Sequence, residues 1–140
     1  MKQELELELV KKYPKILKDF GGDPMQTCMA WGIETGNGWY QLLDEAMSKI
    51  QYFCDLCSKD GREVQLVASQ IKTKFGSLRF YTDIFGANEI EEKILNDFVD
   101  KAERKSYASC EVCGASARTD RSSFWIQTVC EEHKKEKSIT

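Results

Sequence analysis

The chain has a single histidine, His133, and two prolines in 140 residues. One histidine leaves little for histidine-based acid–base or nucleophilic chemistry. Two prolines and nine glycines make no low-complexity linker. No run approaches the ~18–20 apolar residues of a membrane-spanning helix, so no membrane partner is expected. The opening MKQELELELVKKYPK carries charge in every short window and lacks the apolar stretch of a signal peptide. A cytoplasmic location is the expectation. Excess basic charge is also missing: 20 Lys and Arg stand against 23 Asp and Glu, a formal net charge of −3. That excludes a strongly basic nucleic-acid coat and leaves room only for a local basic patch. The motifs HExxH, GxSxG and GxxxxGKS/T are absent, and no proline precedes either Cys-x2-Cys, as a zinc deaminase would need.

What is present is a globular balance of 41% hydrophobic and 31% charged residues. The length suits one domain, or one with a small appendage. Residues 21–100 are acidic and residues 101–140 mildly basic, which reads as solvated surface. Residues 3–20 predict a helix interrupted near Pro14, where proline removes an interior donor. Residues 25–38 predict a short hairpin or an ordered loop around the Asn37-Gly38 turn signal. Trp39, Leu42, Leu43, Ala46, Met47, Ile50 and Phe53 share one face of a second helix, which ends at Cys54-Asp-Leu-Cys57. Residues 63–72 and 77–83 predict two strands joined by a turn with Gly76 at positive φ. A third helix covers 89–107, with Asn88 as N-cap and Glu91 completing a capping box.

Six cysteines accompany the one histidine. In a reducing compartment they are better metal ligands than disulfides. Cys110-x2-Cys113 is followed, after sixteen residues, by Cys130-x2-His133. Three thiolates and one imidazole make a closed tetrahedral set, the usual structural zinc site, and Gly114 relieves crowding behind the second sulfur. The order is knuckle, hairpin containing the FWIQTV strand, then a ligand pair opening a short helix EEHKKEK. It resembles a treble-clef zinc finger. The fold expected is therefore α+β. Helices pack on a small antiparallel hairpin or sheet in a core domain over 1–108, and a treble-clef-like zinc module over 109–140 packs on that core.

Cys54, Cys57 and Cys28 leave alternatives open. They could form a second metal site, share an ion with another subunit in a homodimer, or pack as ordinary thiols. A further wiring joins Cys54 and Cys57 to Cys110 and Cys113. The closed zinc site takes the only histidine, and carboxylates such as Glu34, Asp44 and Glu45 read as solvated faces, so the chain is expected not to be an enzyme. Lys72, Lys74, Phe75, Arg79 and Tyr81 interleave basic and aromatic groups around the hairpin turn. Such a surface suits a protein interface or a nucleic acid. Trp31 and Trp39 are further anchor candidates, or core.

Four segments together resemble a family of small bacteriophage and prophage proteins: Lys12-Tyr13-Pro14, Cys28 to Trp39 (CMAWGIETGNGW), Lys74 to Tyr81 (KFGSLRFY), and Cys110 to His133. The resemblance spans most of the chain. It implies a setting, the cytoplasm of a bacterial host. Small phage proteins of this kind act mostly by binding. The expected function is a non-enzymatic, zinc-stabilised accessory protein that binds a host protein, a defence component being the partner this setting suggests. The alternative is a nucleic-acid-binding regulator in which Arg118, Arg121, Lys134, Lys135 and Lys137 add to Lys72, Lys74 and Arg79.

Overall fold

Helix α1, Gln3–Lys12, begins the chain, with Glu4 and Glu6 in its first turn and Lys11 and Lys12 in its last, matching the helix dipole. It stops at Tyr13 because a residue before proline is pushed out of the helical region. The computed structural model describes residues 1–134. Beyond Pro14 the chain does not resume a helix, as the apolar pattern predicted, but runs as turns to residue 21. Those turns still bury Ile16 and Leu17, and the Ile16 carbonyl accepts the Ala68 N–H at 2.8 Å. The apolar spacing therefore marked core residues without a helix to carry them.

Residues 25–39 form neither a hairpin nor a simple loop. A 3-10 turn, Cys28–Trp31, leads into the short strand β1, Ile33–Glu34, and a second 3-10 turn, Asn37–Trp39, runs straight into helix α2, Tyr40–Cys57. Strand β2, Gln65–Lys74, and strand β3, Ser77–Phe85, form the predicted hairpin. The sheet order is β1-β2-β3, and β1 pairs parallel to β2. The expected antiparallel sheet is thus corrected to a mixed one. A two-residue parallel strand has too little pattern to be seen in sequence.

Register depends on a bulge. The pairing shifts between Ala68 and Gln70. Leu66 and Ala68 therefore share a face with Ile71 and Thr73, although the two pairs differ in parity. Opposite them on β3 lie Leu78, Phe80, Thr82 and Ile84. Lys72 and Arg79 pair across the other face. The hairpin turn is Phe75-Gly76, with φ of 52° and 77°. Positive φ at both central residues is the type I′ signature.

Helix α3, Glu89–Ser106, starts with the expected capping box between Asn88 and Glu91. It also protects the outer edge of β3. The Leu78 N–H donates to Ser106 Oγ and the Phe80 N–H to Glu103 Oε2, both at 2.9 Å. An edge covered this way cannot template another strand there. On the opposite edge Glu6 of α1 accepts the Ile33 N–H at 2.6 Å. Between helices and sheet the core holds Trp39, Leu43, Met47, Ile50, Leu66, Ile71, Leu78 and Leu95, all buried. Each such large side chain contributes about 1.5–3 kcal/mol. Phe53 and Phe98 meet edge to face at 6.2 Å where α2 crosses α3. No helix among the described residues is long and apolar enough to cross a membrane.

Arg62 makes a two-pronged ion pair with Glu91, at 2.6 and 3.1 Å. The guanidinium, then the Asn88 backbone, hold the Glu91 carboxyl down at about 2, against an ordinary 4.5. A depressed carboxylate stabilises fully above its unfolded value and loses that contribution as pH falls through the folded one. The Glu91→Gln variant should therefore lose stability near neutral pH and show a flatter decline between about pH 4.5 and 2. Urea unfolding across that range measures it.

Candidate metal centre

After α3 the chain turns back on itself. Ser109 and Ser116 bridge, and between them the Cys110 N–H donates to the Ala115 carbonyl at 2.7 Å. The Gly114 N–H closes the knuckle on the Cys110 carbonyl at 2.8 Å. Gly114 has φ of 83°, the left-handed conformation a residue with a Cβ resists. Strands β4, Arg118–Asp120, and β5, Gln127–Val129, then pair antiparallel. Cys130 follows β5, and the 3-10 turn Glu131–His133 brings the imidazole back toward it. Of the predicted FWIQTV strand only Gln127–Val129 is strand. Of the predicted helix EEHKKEK, Glu131–His133 form only this 3-10 turn and Lys134 is already extended; residues 135–137 lie outside the described residues.

Cys110, Cys113, Cys130 and His133 converge so that one ligand atom from each lies within 4.8 Å of all the others. The Cys113 and Cys130 sulfurs are 3.7 Å apart. Zinc–sulfur bonds of about 2.3 Å at a tetrahedral angle separate two sulfurs by about 3.8 Å. His133 Nδ1 is 3.2 Å from Cys130 Sγ and 3.8 Å from Cys110 Sγ. A nitrogen and a sulfur on one tetrahedral ion would stand about 3.6 Å apart. The donor set and its spacing fit a metal ion.

Electrostatics favour one too. Burial resists ionisation of Cys110, but the backbone N–H groups of Cys130, Cys113 and Val112 outweigh it and hold the thiol down at about 6. Cys113 moves the other way. The Ala115 backbone favours its thiolate, yet desolvation and the neighbouring Cys130 and Cys110 sulfurs raise it. Crowded thiols repel a second negative charge, and a cation at their centre removes that repulsion.

The module is fastened to the core through Glu111, which sits between the first two sulfurs. Its backbone N–H donates to the Thr128 carbonyl at 2.9 Å, and its carbonyl accepts the Gly38 N–H at 2.7 Å. Its carboxylate accepts the Gly36 N–H at 2.9 Å and the Thr73 hydroxyl. Two glycines make room. A methyl at Gly36 would overlap the Glu111 carbonyl oxygen and lie 2.9 Å from its Cγ. One at Gly38 would overlap the Cys110 carbonyl oxygen and lie 2.6 Å from the Gly114 nitrogen. Trp39 completes the seam: its indole N–H donates to the Ser109 carbonyl at 2.8 Å. On the far side Thr128 Oγ1 donates to the Gly76 carbonyl at 2.7 Å.

The remaining cysteines do not join this group. Cys28 is exposed on its 3-10 turn, while Cys54 and Cys57 occupy the last turn of α2. Cys54 has no exposed surface, so it cannot reach a second subunit. Burial raises its thiol, and burial with the neighbouring Glu91 carboxylate pushes Cys57 up to about 11. Both thiols therefore resist ionisation where they stand. Among the described residues no second metal group forms, and the wiring of Cys54 and Cys57 to the knuckle is not built.

The predicted contact residues divide. Trp39 is 0% exposed and belongs to the core, which corrects its reading as an anchor. Trp31 is exposed. Lys72 and Arg79 face away from the helices as a cross-strand pair, and Arg79 Nε is buried without a hydrogen-bond partner. Lys74 and Tyr81 are exposed. Phe75, at the hairpin tip, is 62% exposed despite its positive φ. Arg121 lies over the Tyr107 ring at 5.9 Å and Lys134 pairs with Glu131 at 3.2 Å, so neither adds freely to a basic patch. Lys135 and Lys137 lie outside the described residues. Asp44 binds Lys12 and the Tyr13 hydroxyl, and Glu45 binds Lys105, as solvated acidic faces do.

The structure adds residues the sequence pattern passed over. Phe124 is fully exposed and Trp125 is 69% exposed, in the β4–β5 connection. With Phe75 and Val112 they line a groove of about 560 Å³ between hairpin tip and knuckle. Their segment read as strand, which would have buried alternate side chains. Comparison with protein-family models, with curated proteins and with solved structures finds no match.

The seam yields a sharp expectation. Gly38 needs no special backbone; it needs space. Gly38→Ala should cost about 2 kcal/mol or more, in the range of overpacked cores, and weaken metal retention together with folding. Thermal unfolding with and without chelator measures both.

Proposed function

We propose that the chain is a non-enzymatic, zinc-stabilised binding protein whose partner is another protein. Zinc is favoured over other ions by the donor set, because three thiolates and an imidazole suit a borderline-soft, tetrahedral ion. Four protein ligands complete that coordination, which leaves the ion a structural task. Zinc would hold the last two strands against the core, a segment too small to bury its own apolar surface. The purified chain should carry one zinc per molecule. Cys113→Ser should lose the ion and lower the unfolding temperature, as should chelation; a zinc-free chain of undiminished stability would refute the assignment.

One observation carries the binding reading. Phe75, Val112, Phe124 and Trp125 expose apolar surface together at the junction the metal site organises. Exposed aromatics clustered in one place mark interaction sites, and tryptophan is the commonest interface anchor. The resemblance to phage proteins supports a partner from a bacterial host, with a defence component as the class it suggests. Nucleic acid is the less favoured reading, because the groove contains Glu34 and Glu111 and the nearby arginines and lysines are partly engaged.

The test is capture from host lysate by the zinc-loaded chain, followed by binding of the purified captured protein. The Phe124→Ser, Trp125→Ser double variant, altered only at exposed positions, should reduce that affinity at least tenfold. Equal binding by the double variant would move the interface elsewhere. Failure of any purified candidate to bind would remove the reading.

A further inference from the structure

The aromatic groove is also acidic. Glu34 and Glu111 line it together with Phe75, Phe124 and Trp125. The Glu111 carboxylate is engaged by Gly36 and Thr73. Glu34 is exposed, and it has no ion-pair partner among the described residues. Its register neighbour Lys72 forms none with it. Aromatic faces and carboxylates attract the same kind of ligand: a cation with an apolar stem. The chain's own Lys74 already shows the compatibility, with its Nζ 5.6 Å from the centroid of Phe75.

Phe75 carries a second, independent signal. A bulky residue with φ of 52° is an outlier, since the type I′ turn is ordinarily made by Asn, Asp or Gly. Burial does not compensate the strain, because most of the ring is in solvent. Strained residues that pack poorly gather where a site needs them. Phe75 lines the groove together with Ile126 and Gln127, and Gly76 beside it leaves no room for a side chain, since a methyl there would stand 3.0–3.2 Å from those two residues.

We infer that this groove receives an arginine or lysine side chain of the partner protein, stacked on Phe75 and Phe124 and paired with Glu34, with Trp125 lining the same groove. The inference rests on the protein-binding reading above and specifies its chemistry. A phosphate backbone does not fit, because it would meet two carboxylates. The partner segment is a basic residue flanked by apolar ones, which would cover Val112 and the rims of the rings.

The experiment follows the Trp125 indole N–H resonance of the zinc-loaded, isotope-labelled full chain, assigned with Trp125→Phe. The probes are acetyl-Leu-Arg-Leu-amide, its norleucine counterpart, and a thymidine oligonucleotide. The arginine peptide should give a saturable shift, and the norleucine peptide should bind more weakly by about two- to fivefold or more, the range of an exposed cation–π contact. Glu34→Gln should reduce arginine binding by a similar factor. Phe75→Gly should do so while leaving unfolding temperature equal or higher, because it relieves the positive φ. A response equal for both peptides, no saturable shift, or tighter binding of the oligonucleotide would overturn the inference. If a captured protein binds Glu34→Gln with full affinity, the protein-binding reading stands and the cation pocket falls. If no protein binds the wild-type chain, the earlier reading fails first.

Discussion

Glu111 is the residue on which the two halves of this structure depend. It lies inside the ligand knuckle, so its backbone is set by the sulfurs on either side. Each polar group on it is used: the N–H toward β5, the carbonyl toward Gly38, the carboxylate toward Gly36 and Thr73. A buried carboxylate or amide without partners would cost on the order of 1–3 kcal/mol each. Satisfying all of them at once requires the core loop, the hairpin and the β4–β5 ribbon to be in place together. A metal ion held by Cys110, Cys113, Cys130 and His133 would therefore bind and dock the module in one cooperative event. The knuckle in turn contacts the loop that enters α2 through Trp39.

That coupling explains what could be read in the sequence and what could not. The cluster of Cys110, Cys113, Cys130 and His133 was legible because metal-ligand pairs are local in sequence and two short spacings mark them. The capping box at Asn88 and the apolar faces of α2 and α3 were legible for the same reason, since helix contacts recur at three and four residues. Asn37-Gly38 was visible as a turn signal, but the purpose of Gly36 and Gly38 was hidden. They are glycines because the distant backbone of Glu111 and Cys110 passes over them. Trp39 was open to two readings, anchor or core, because nothing nearby in the chain shows that Ser109 accepts its indole N–H. Strand β1 has two residues, too few for any period, and exists only because β2 offers an edge.

The helix expected beyond Pro14 failed differently. Ile16 and Leu17 do enter the core, so the hydrophobic spacing was sound. The backbone solution was not, because a proline and a double glycine bound the segment and Ala68 captures the Ile16 carbonyl. Tertiary contact overrode local propensity. Phe124 and Trp125 reversed that error. A run of FWIQTV has the composition of a strand, yet pairing begins only at Gln127, leaving the two aromatic residues of the run in solvent.

The exposed rings and the strained turn point in one direction when weighed against folding alone. A left-handed phenylalanine costs about 1–2 kcal/mol relative to glycine, and exposed Phe124 and Trp125 return little burial. Burial explains neither Phe75 nor Phe124. By contrast, the residues that hold them in place, Gly76, Thr128, Glu111 and the four ligands, are tightly specified by contact. The molecule therefore separates its tasks. The seam is fixed by close contacts, and it presents aromatic side chains at its rim. A patch held in place before it meets a partner loses less ordering entropy on association, so a small aromatic surface suffices where its charge is matched.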